Sequence, residues 1–276
     1  MEISLPVTLA VLGAALLHAT WNALVKASED KALDTVAVAA GSGLIALAVA
    51  LFLPAPAAAS WPWLAGSAAV HILYFLFLAG AYRWGDLSYS YPIMRGGGPL
   101  IVAVAGVFLL QEIPSFRQAA GIVLISAGIL AFARGSHDRR ATWFAVGNAA
   151  VIAAYTLIDA QGARASGAPV SYTLWFFVAN GVVITGLALL QQGARIPAYL
   201  HRFWLRSLAG GACAAGAYAI ALWAMTLAPV ALVAALRETS VIFAAVIAFV
   251  IFKEKMTGPR VAATCAVLAG LVTLRI

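Results

Sequence analysis

The sequence Ser-Tyr-Pro-Ile-Met-Arg-Gly-Gly-Gly-Pro occupies positions 90–99, within an apolar segment long enough to cross a lipid bilayer. Its two prolines lack a backbone donor, and its three consecutive glycines add no side chain that would stiffen a helix. The stretch therefore predicts a bent or broken membrane helix. Its arginine, Arg95, places a permanent charge near mid-membrane at a cost of roughly 2.5–3.5 kcal/mol, so it is expected to face protein or water. Loosened backbone beside a charge is tolerated at that depth mainly where it lines a cavity, and transporters bind substrates in such places.

The stretch has a counterpart one half-chain later, which indicates an internal duplication. A shift of 142 residues superposes Arg95 on Arg237, Glu112 on Glu254, and Gly128 on Gly270. Around these positions both segments read as an apolar run, an arginine, a second apolar run, a glutamate, a short polar loop and a third apolar run. Three coincidences of polar residues or glycine in one ungapped register favour a repeat over chance.

Composition predicts an all-α integral membrane protein. Of the 276 residues, 64% are hydrophobic and 10% charged, and the mean hydropathy is +0.98, which no soluble domain resembles. The net charge of +7 is scattered over short loops rather than gathered in a patch, which argues against nucleic acid as a partner. The two cysteines, Cys213 and Cys265, lie in apolar spans and have no metal-ligand spacing.

Ten membrane spans can be drawn along the chain, five before and five after the polar stretch 134–140. They cover residues 5–27, 33–53, 62–84, 87–110, 117–133, 143–162, 170–190, 204–226, 229–252 and 258–275. An odd number of spans per half makes the two repeats, 1–135 and 141–276, inverted relative to each other. The first span does not read as a cleaved signal peptide, since it is too long and starts with Glu2 instead of a basic residue. Loop lysines and arginines number twelve on one side and three on the other, so the positive-inside rule places both termini outside the inner (plasma) membrane.

Several spans carry polar and aromatic residues at helical spacing, and such a face usually looks inward because lipid offers its polar groups no partners. The candidate substrate-binding residues are His18, Trp21, Asn22, His71, Tyr74, Tyr91, Arg95, Tyr155, Tyr218, Arg237 and Glu238. The bland alternative for each is interhelical hydrogen bonding and aromatic packing. Because Arg237 and Glu238 are adjacent, they point about 100° apart on a helix. One arrangement pairs Glu238 with Arg95 and leaves Arg237 for a substrate carboxylate; the alternative is a purely structural ion pair.

The chain resembles the EamA-type transporters of the drug/metabolite transporter superfamily over essentially its whole length. The likeness rests on the ten spans, on the duplication, and on a glutamate followed by glycines nine and sixteen residues later: Glu112, Gly121 and Gly128. The second copy keeps Glu254 and Gly270 but has Ala263 at the middle position. The pair Trp21-Asn22, with Lys26 closing the first span, also looks like the family's opening segment.

The resemblance implies a secondary transporter with a central cavity that opens alternately to each side. Bacterial members similar to this chain export amino acids or related metabolites, and a subgroup handles aromatic amino acids, so an exporter of small metabolites is expected. A multidrug or nucleotide-sugar type carrier on the same fold is the alternative, and a membrane scaffold or an intramembrane enzyme is disfavoured. No catalytic constellation, cofactor motif or metal site is found. A monomer is expected because ten spans can enclose a cavity, and proton coupling is left open.

The mechanism expected from the sequence is bending of the fourth and ninth spans as the cavity switches sides. The candidate hinge residues are Pro92, Gly96, Gly97, Gly98 and Pro99.

Overall fold

The computed structural model describes residues 3–133, 138–255 and 257–275, and the regular secondary structure of this part of the chain consists of helices, with no strand. The helices are α1 (Leu5–Lys26), α2 (Lys31–Ala50), α3 (Trp61–Trp84), α4 (Leu87–Leu109), α5 (Phe116–Leu130), α6 (Arg139–Ala165), α7 (Pro169–Gln192), α8 (Arg195–Arg202), α9 (Trp204–Leu227), α10 (Val230–Arg237), α11 (Ser240–Val250) and α12 (Gly258–Arg275). A short 3-10 turn, Ala58–Ser60, leads into α3. Within the described residues, eight helical segments are long and apolar enough to cross a membrane, with α10 and α11 counted together.

The predicted spans coincide with helices, but two of these helices are short. α5 has 15 residues, which at 1.5 Å per residue is about 23 Å, less than the roughly 30 Å of a hydrocarbon core. α12, the predicted tenth span, is also a shorter apolar helix. Eight membrane-capable helices are therefore established, and ten crossings remain a prediction. Of the predicted linker 134–140, residues 134–137 lie outside the described residues.

Polar side chains fix where several helices begin. The carboxylate of Asp30 accepts a hydrogen bond from the backbone N–H of Leu33 at the start of α2 (3.0 Å). At the start of α5, the Ser115 hydroxyl accepts from the backbone N–H of Gln118, and the Gln118 side chain accepts from the backbone N–H of Ser115. These side chains satisfy donors that a helix start would leave unpaired. The loop that precedes α5 is thereby anchored.

The break expected in the fourth span is not present, because α4 runs without interruption through Pro92 and Pro99. Each proline removes a single backbone hydrogen bond, and close packing on both sides compensates for the loss. A Cβ added to Gly96 would lie 2.9 Å from Leu130 Cγ on α5, and one added to Gly97 would lie 3.0 Å from a methyl carbon on α6. The glycines thus let α4 fit between its neighbours. Their predicted role as a hinge, with Gly98, stays a prediction.

The ninth span does break, between α10 and α11, at Glu238 and Thr239. No proline or glycine lies there; the sequence runs Arg-Glu-Thr-Ser at positions 237–240. The interruption places the charged pair Arg237 and Glu238 at the end of a short buried helix, in the middle of the chain's ninth apolar segment.

Backbone geometry repeats where the two halves share sequence. Among the described residues, Gln111 (φ 57°) and Lys253 (φ 56°) are the non-glycine residues with positive φ, and they are 142 positions apart. The next residue in each case returns a backbone hydrogen bond to the preceding helix, from Glu112 N to Gly106 O (3.1 Å) and from Glu254 N to Ala248 O (3.0 Å). This bond is the helix-ending pattern in which a left-handed residue closes the last turn. The duplication is therefore visible in conformation as well as in sequence.

Glycines also mediate close contacts between the halves. Cβ atoms added to Gly43 on α2 and Gly181 on α7 would each collide with the backbone of the other helix. The backbones of α5 and α12 approach equally closely at Gly121 and Gly270. These contacts join the second helix of each half and the fifth helix of each half, as a twofold relation between the halves predicts.

Candidate substrate site

An ion pair joins α4 to the break in the ninth span. Arg95 Nη2 lies 3.0 Å from Glu238 Oε1, and the two side chains are only 12% and 8% exposed. This is the pairing that the sequence analysis offered as one arrangement. The second carboxylate oxygen of Glu238 is buried and has no hydrogen-bond partner among the described residues.

Arg237 lies near this pair but makes no ion pair with any described residue. Its guanidinium lies over the ring of Tyr218, 5.1 Å from the ring centroid, in cation–π geometry. Arg237, Arg95, Glu238 and Tyr155 together line a small void of about 10 Å³, enough for about one water molecule. In this conformation the void is therefore too small to hold an amino acid.

Aromatic rings form one wall beside the charges. The His71 ring lies 4.4 Å from the Tyr155 ring and 4.9 Å from the Phe176 ring, measured between centroids. Tyr74 meets Tyr155 edge-to-face at 6.1 Å, and Phe176 lies 5.7 Å from Tyr218. The sequence-predicted residues of α3, α6 and α9 thus converge, with Phe176 of α7 added to the set.

A buried carboxylate lies next to this wall; helical spacing predicts an inward-facing polar stripe of Asn148, Ile152, Tyr155 and Asp159 on the sixth span, but Asp159 was not among the predicted substrate-binding residues. Asp159 of α6 is 0% exposed, and its two oxygens accept hydrogen bonds from the hydroxyls of Tyr172 (3.0 Å) and Tyr218 (2.6 Å). Its sequence signal was its position four residues after Tyr155, on the same face of α6. Its partners lie on α7 and α9, which spacing along α6 does not reveal.

Glu112 connects several helices at one end of the bundle. Its Oε1 lies 2.6 Å from Arg164 Nη2 at the end of α6, and its Oε2 accepts from the backbone N–H of Val230 at the start of α10 (2.7 Å). Arg164 also donates through Nε to the carbonyl of Met225 on α9 (2.9 Å). A single glutamate thus connects the loop after α4 to three helices of the second half.

The equivalent glutamate, Glu254, lies at the other end of the bundle. It pairs with Lys26 at the end of α1 and with Arg260 Nη1 at 2.9 Å. Hydrogen bonds from Lys26 and Arg260 lower the pKa of the Glu254 carboxyl below its usual value. The two repeat-related glutamates therefore both pair with basic residues.

A wide cleft opens at the Glu254 end, with a volume of about 680 Å³. It lies between the start of α4 and the start of α12, and its lining includes Asp86, Tyr91, Pro92 and Arg260. Tyr91, which is 39% exposed, also lies within electrostatic range of Arg95. The cleft therefore extends from one end of the bundle toward the buried charges, while the contacts of Glu112 join helices at the opposite end.

Comparison with known proteins identifies one half of the chain. Residues 140–276 match the EamA-like transporter family. The match supports a transporter of the drug/metabolite transporter superfamily. With the eight membrane-capable helices, it makes the chain a multi-pass membrane protein. A protein of known crystal structure has the same fold, with a TM-score of 0.73 over 98% of this chain and 98% of its own, at 18% sequence identity. No curated protein matches the sequence.

The EamA-like half, residues 140–276, contains the helix break at Glu238 and much of the aromatic wall. The preceding half contains Arg95, the partner of Glu238. His18 of the first half lies within electrostatic range of both Arg95 and Arg237. Trp21 and Asn22 do not line the void; they hydrogen-bond to His18 of their own helix, through Nδ1 (3.3 Å) and the backbone carbonyl (2.8 Å). The described residues hold no group of three or more metal-ligating side chains.

Proposed function

We propose that the chain is a secondary transporter that exports small metabolites, with amino acids, including aromatic ones, as the leading substrates. Its binding site is the region of Arg237, Glu238 and the aromatic wall. The observation that carries the proposal is the half-buried guanidinium of Arg237, which makes no ion pair with any described residue, next to a buried oxygen of Glu238 that has no hydrogen-bond partner among them.

Each part of an amino acid has a matching group in this region. The Arg237 guanidinium suits a carboxylate, because it offers two parallel donors. The free oxygen of Glu238 suits an ammonium group. The rings of Tyr155 and Tyr218, which adjoin Arg237, suit an apolar or aromatic side chain. A lipophilic drug would need the aromatic surface but neither of the charges.

Transport requires the site to widen, because the present void holds only about one water molecule. The approach is the 680 Å³ cleft at the Glu254 end, while the contacts of Glu112 with Arg164 and Val230 hold the opposite end shut. In the proposed cycle the ends exchange these roles, so that the site faces one side of the membrane at a time. The break between α10 and α11 and the glycines of α4 are where the backbone changes.

The proposal also covers the number of membrane crossings, the repeat arrangement, the oligomeric state and the location of the termini. Ten crossings form two inverted five-helix repeats, 1–135 and 141–276, in a monomer embedded in the inner membrane. The loop charges place both termini outside. The repeated helix ending at Glu112 and Glu254 and the contacts of α2 with α7 and of α5 with α12 support the two-repeat arrangement.

The test is efflux of labelled amino acids from reconstituted vesicles, comparing wild type with Arg237→Gln. A charge-assisted hydrogen bond contributes about 1.5–3 kcal/mol, so its loss should weaken apparent affinity by about 10- to 150-fold. Arg195→Gln is the matched control, because it removes the same charge from an exposed position on α8.

We expect phenylalanine or another apolar amino acid to leave wild-type and Arg195→Gln vesicles at similar rates, and to leave Arg237→Gln vesicles slowly. If amino acids are retained while lipophilic cations pass, a multidrug carrier replaces this proposal. If Arg237→Gln transports amino acids like wild type, the guanidinium has no role in recognition.

A further inference from the structure

Asp159 differs from the other buried carboxylates in having no cation beside it. Asp34 is paired with Arg206, and Glu238 is paired with Arg95. Asp159 makes no ion pair with any described residue, although it is 0% exposed. An unpaired ionised carboxylate is costly at membrane depth, so such a group is stable there either with a proton or with several donors aimed at it.

Donors and titratable groups face Asp159 from three neighbouring helices. The groups are Ser67 and His71 on α3, Tyr172 on α7 and Tyr218 on α9, with Tyr155 on its own helix. Beyond Tyr155 lie Arg95, Arg237 and Glu238 of α4 and the ninth span. The hydroxyls can donate to a carboxylate or accept from a carboxylic acid, so both forms of Asp159 can be accommodated.

One ring links Asp159 to the proposed substrate site. The hydroxyl of Tyr218 donates to Asp159 Oδ2 at 2.6 Å, while its ring face carries the guanidinium of Arg237. An ionised Asp159 attracts Arg237 across this ring and competes with a substrate carboxylate. A protonated Asp159 does not compete with the substrate carboxylate for Arg237. The carboxyl hydrogen of Asp159 must also turn toward an acceptor, which changes the hydrogen bond that positions the Tyr218 ring.

From this geometry we propose that Asp159 is a proton-binding site whose occupancy is coupled through Tyr218 to substrate binding at Arg237. The inference rests on the proposed function. Because each ligand favours the other, proton and amino acid travel in the same direction. Net export then occurs only when the outward gradient of the amino acid exceeds the inward gradient of protons, so the protein acts as an overflow valve.

The first test needs no substrate. Infrared difference spectra between acid and alkaline pH should show a protonated-carboxyl component in wild type that Asp159→Asn loses and that Asp34→Asn, a matched buried control, retains. Persistence of the whole band in Asp159→Asn overturns the proposal. Because this readout is independent of the cargo, a wrong substrate class leaves it intact.

The second test uses vesicles loaded with labelled phenylalanine under imposed pH gradients. Wild type and Asp34→Asn should release it several-fold faster with an acidic than with an alkaline lumen, and Asp159→Asn should respond to neither gradient. If Asp159→Asn keeps the pH response and His71→Gln loses it, the proton resides on His71 and the proposal is wrong. Should Asp159→Asn fail to fold, Tyr172→Phe removes one donor from the carboxylate and should displace the pH profile by about tenfold in proton concentration. An unmoved profile also refutes the proposal.

Discussion

The Arg95–Glu238 ion pair allows a structural role to be separated from a role in binding. Both partners are about nine-tenths buried and their charged atoms are 3.0 Å apart. At an effective dielectric constant of 20, Coulomb's law gives an attraction of about 5 kcal/mol at this distance, opposed by the cost of removing both charges from water. Deleting one partner leaves the other charge buried, which typically costs about 3–5 kcal/mol of stability.

The perturbation is a double-mutant cycle of Arg95→Met, Glu238→Leu and both together. Each single variant should lose about 3 kcal/mol or more of unfolding free energy, and Glu238→Leu should be the worse because it leaves Arg95 and Arg237 near each other. The double variant should lie within about 1–2 kcal/mol of wild type, because apolar residues of similar volume often replace a buried pair at little cost. Reversible unfolding in lipid bicelles measures all four proteins.

Transport by the double variant then decides between the two roles. If Glu238 contributes its free oxygen to an ammonium group, the double variant is folded and does not transport amino acids. A double variant that is stable and transports like wild type would show that the pair only holds α4 to the ninth span. Single variants that lose less than about 1 kcal/mol would refute the reasoning itself, because they would mean that water already screens the pair.

Two further predictions concern packing and pH. Gly211→Ala should lose about 1–3 kcal/mol in thermal unfolding, because the added Cβ would lie 2.3 Å from the backbone nitrogen of Ser42, whereas Gly186→Ala, with open space around it, should be neutral or slightly stabilising. The pairing that lowers the pKa of Glu254 stabilises the fold above the carboxyl's usual pKa of 4.5, and this contribution should disappear as pH falls through the lower folded value. Wild-type unfolding should therefore show an acid-dependent component that Glu254→Gln lacks, and equal pH slopes in the two proteins would contradict the assignment of this component to Glu254 and its pairs with Lys26 and Arg260.

The central charges could be predicted from the sequence because an arginine inside an apolar run has few tolerable environments. The shift of 142 residues relates Arg95 to Arg237, and Glu238, directly after Arg237, is a carboxylate close enough in sequence to suggest the pairing with Arg95. The partners of Asp159 could not be found in this way. Tyr172 and Tyr218 reach it from other helices, and only the packing of those helices brings the hydroxyls together.

The sequence predicts a bent or broken helix at 90–99 and bending of both the fourth and the ninth spans, whereas the structure interrupts only the ninth. Proline and glycine at positions 92–99 signal weak local hydrogen bonding, but packing against α5 and α6 keeps α4 intact. The break at Glu238 has no such signal, because it follows from where the charged side chain must lie. Local sequence indicates that the fourth span is the weaker helix, but contacts between helices determine that the ninth span is the one interrupted. The amphipathic helix α8 was also missed, because eight residues between two long spans read as a loop.

The proposed inverted repeat also helps to interpret why two repeat-related helix interfaces are packed to different extents. A twofold relation between the halves makes the interface of α2 with α9 equivalent to that of α7 with α3. α2 and α9 touch at backbone level through Gly41 and Gly211, whereas α3 and α7 share only a limited contact. Two related interfaces packed so differently indicate a displacement of one half relative to the other. The reverse displacement would bring α3 against α7 and separate α2 from α9, which is the movement that the proposed alternating cycle requires. Since the close approach at Gly211 belongs to one of these two states, Gly211→Ala should weaken that state selectively and shift the protein toward the other.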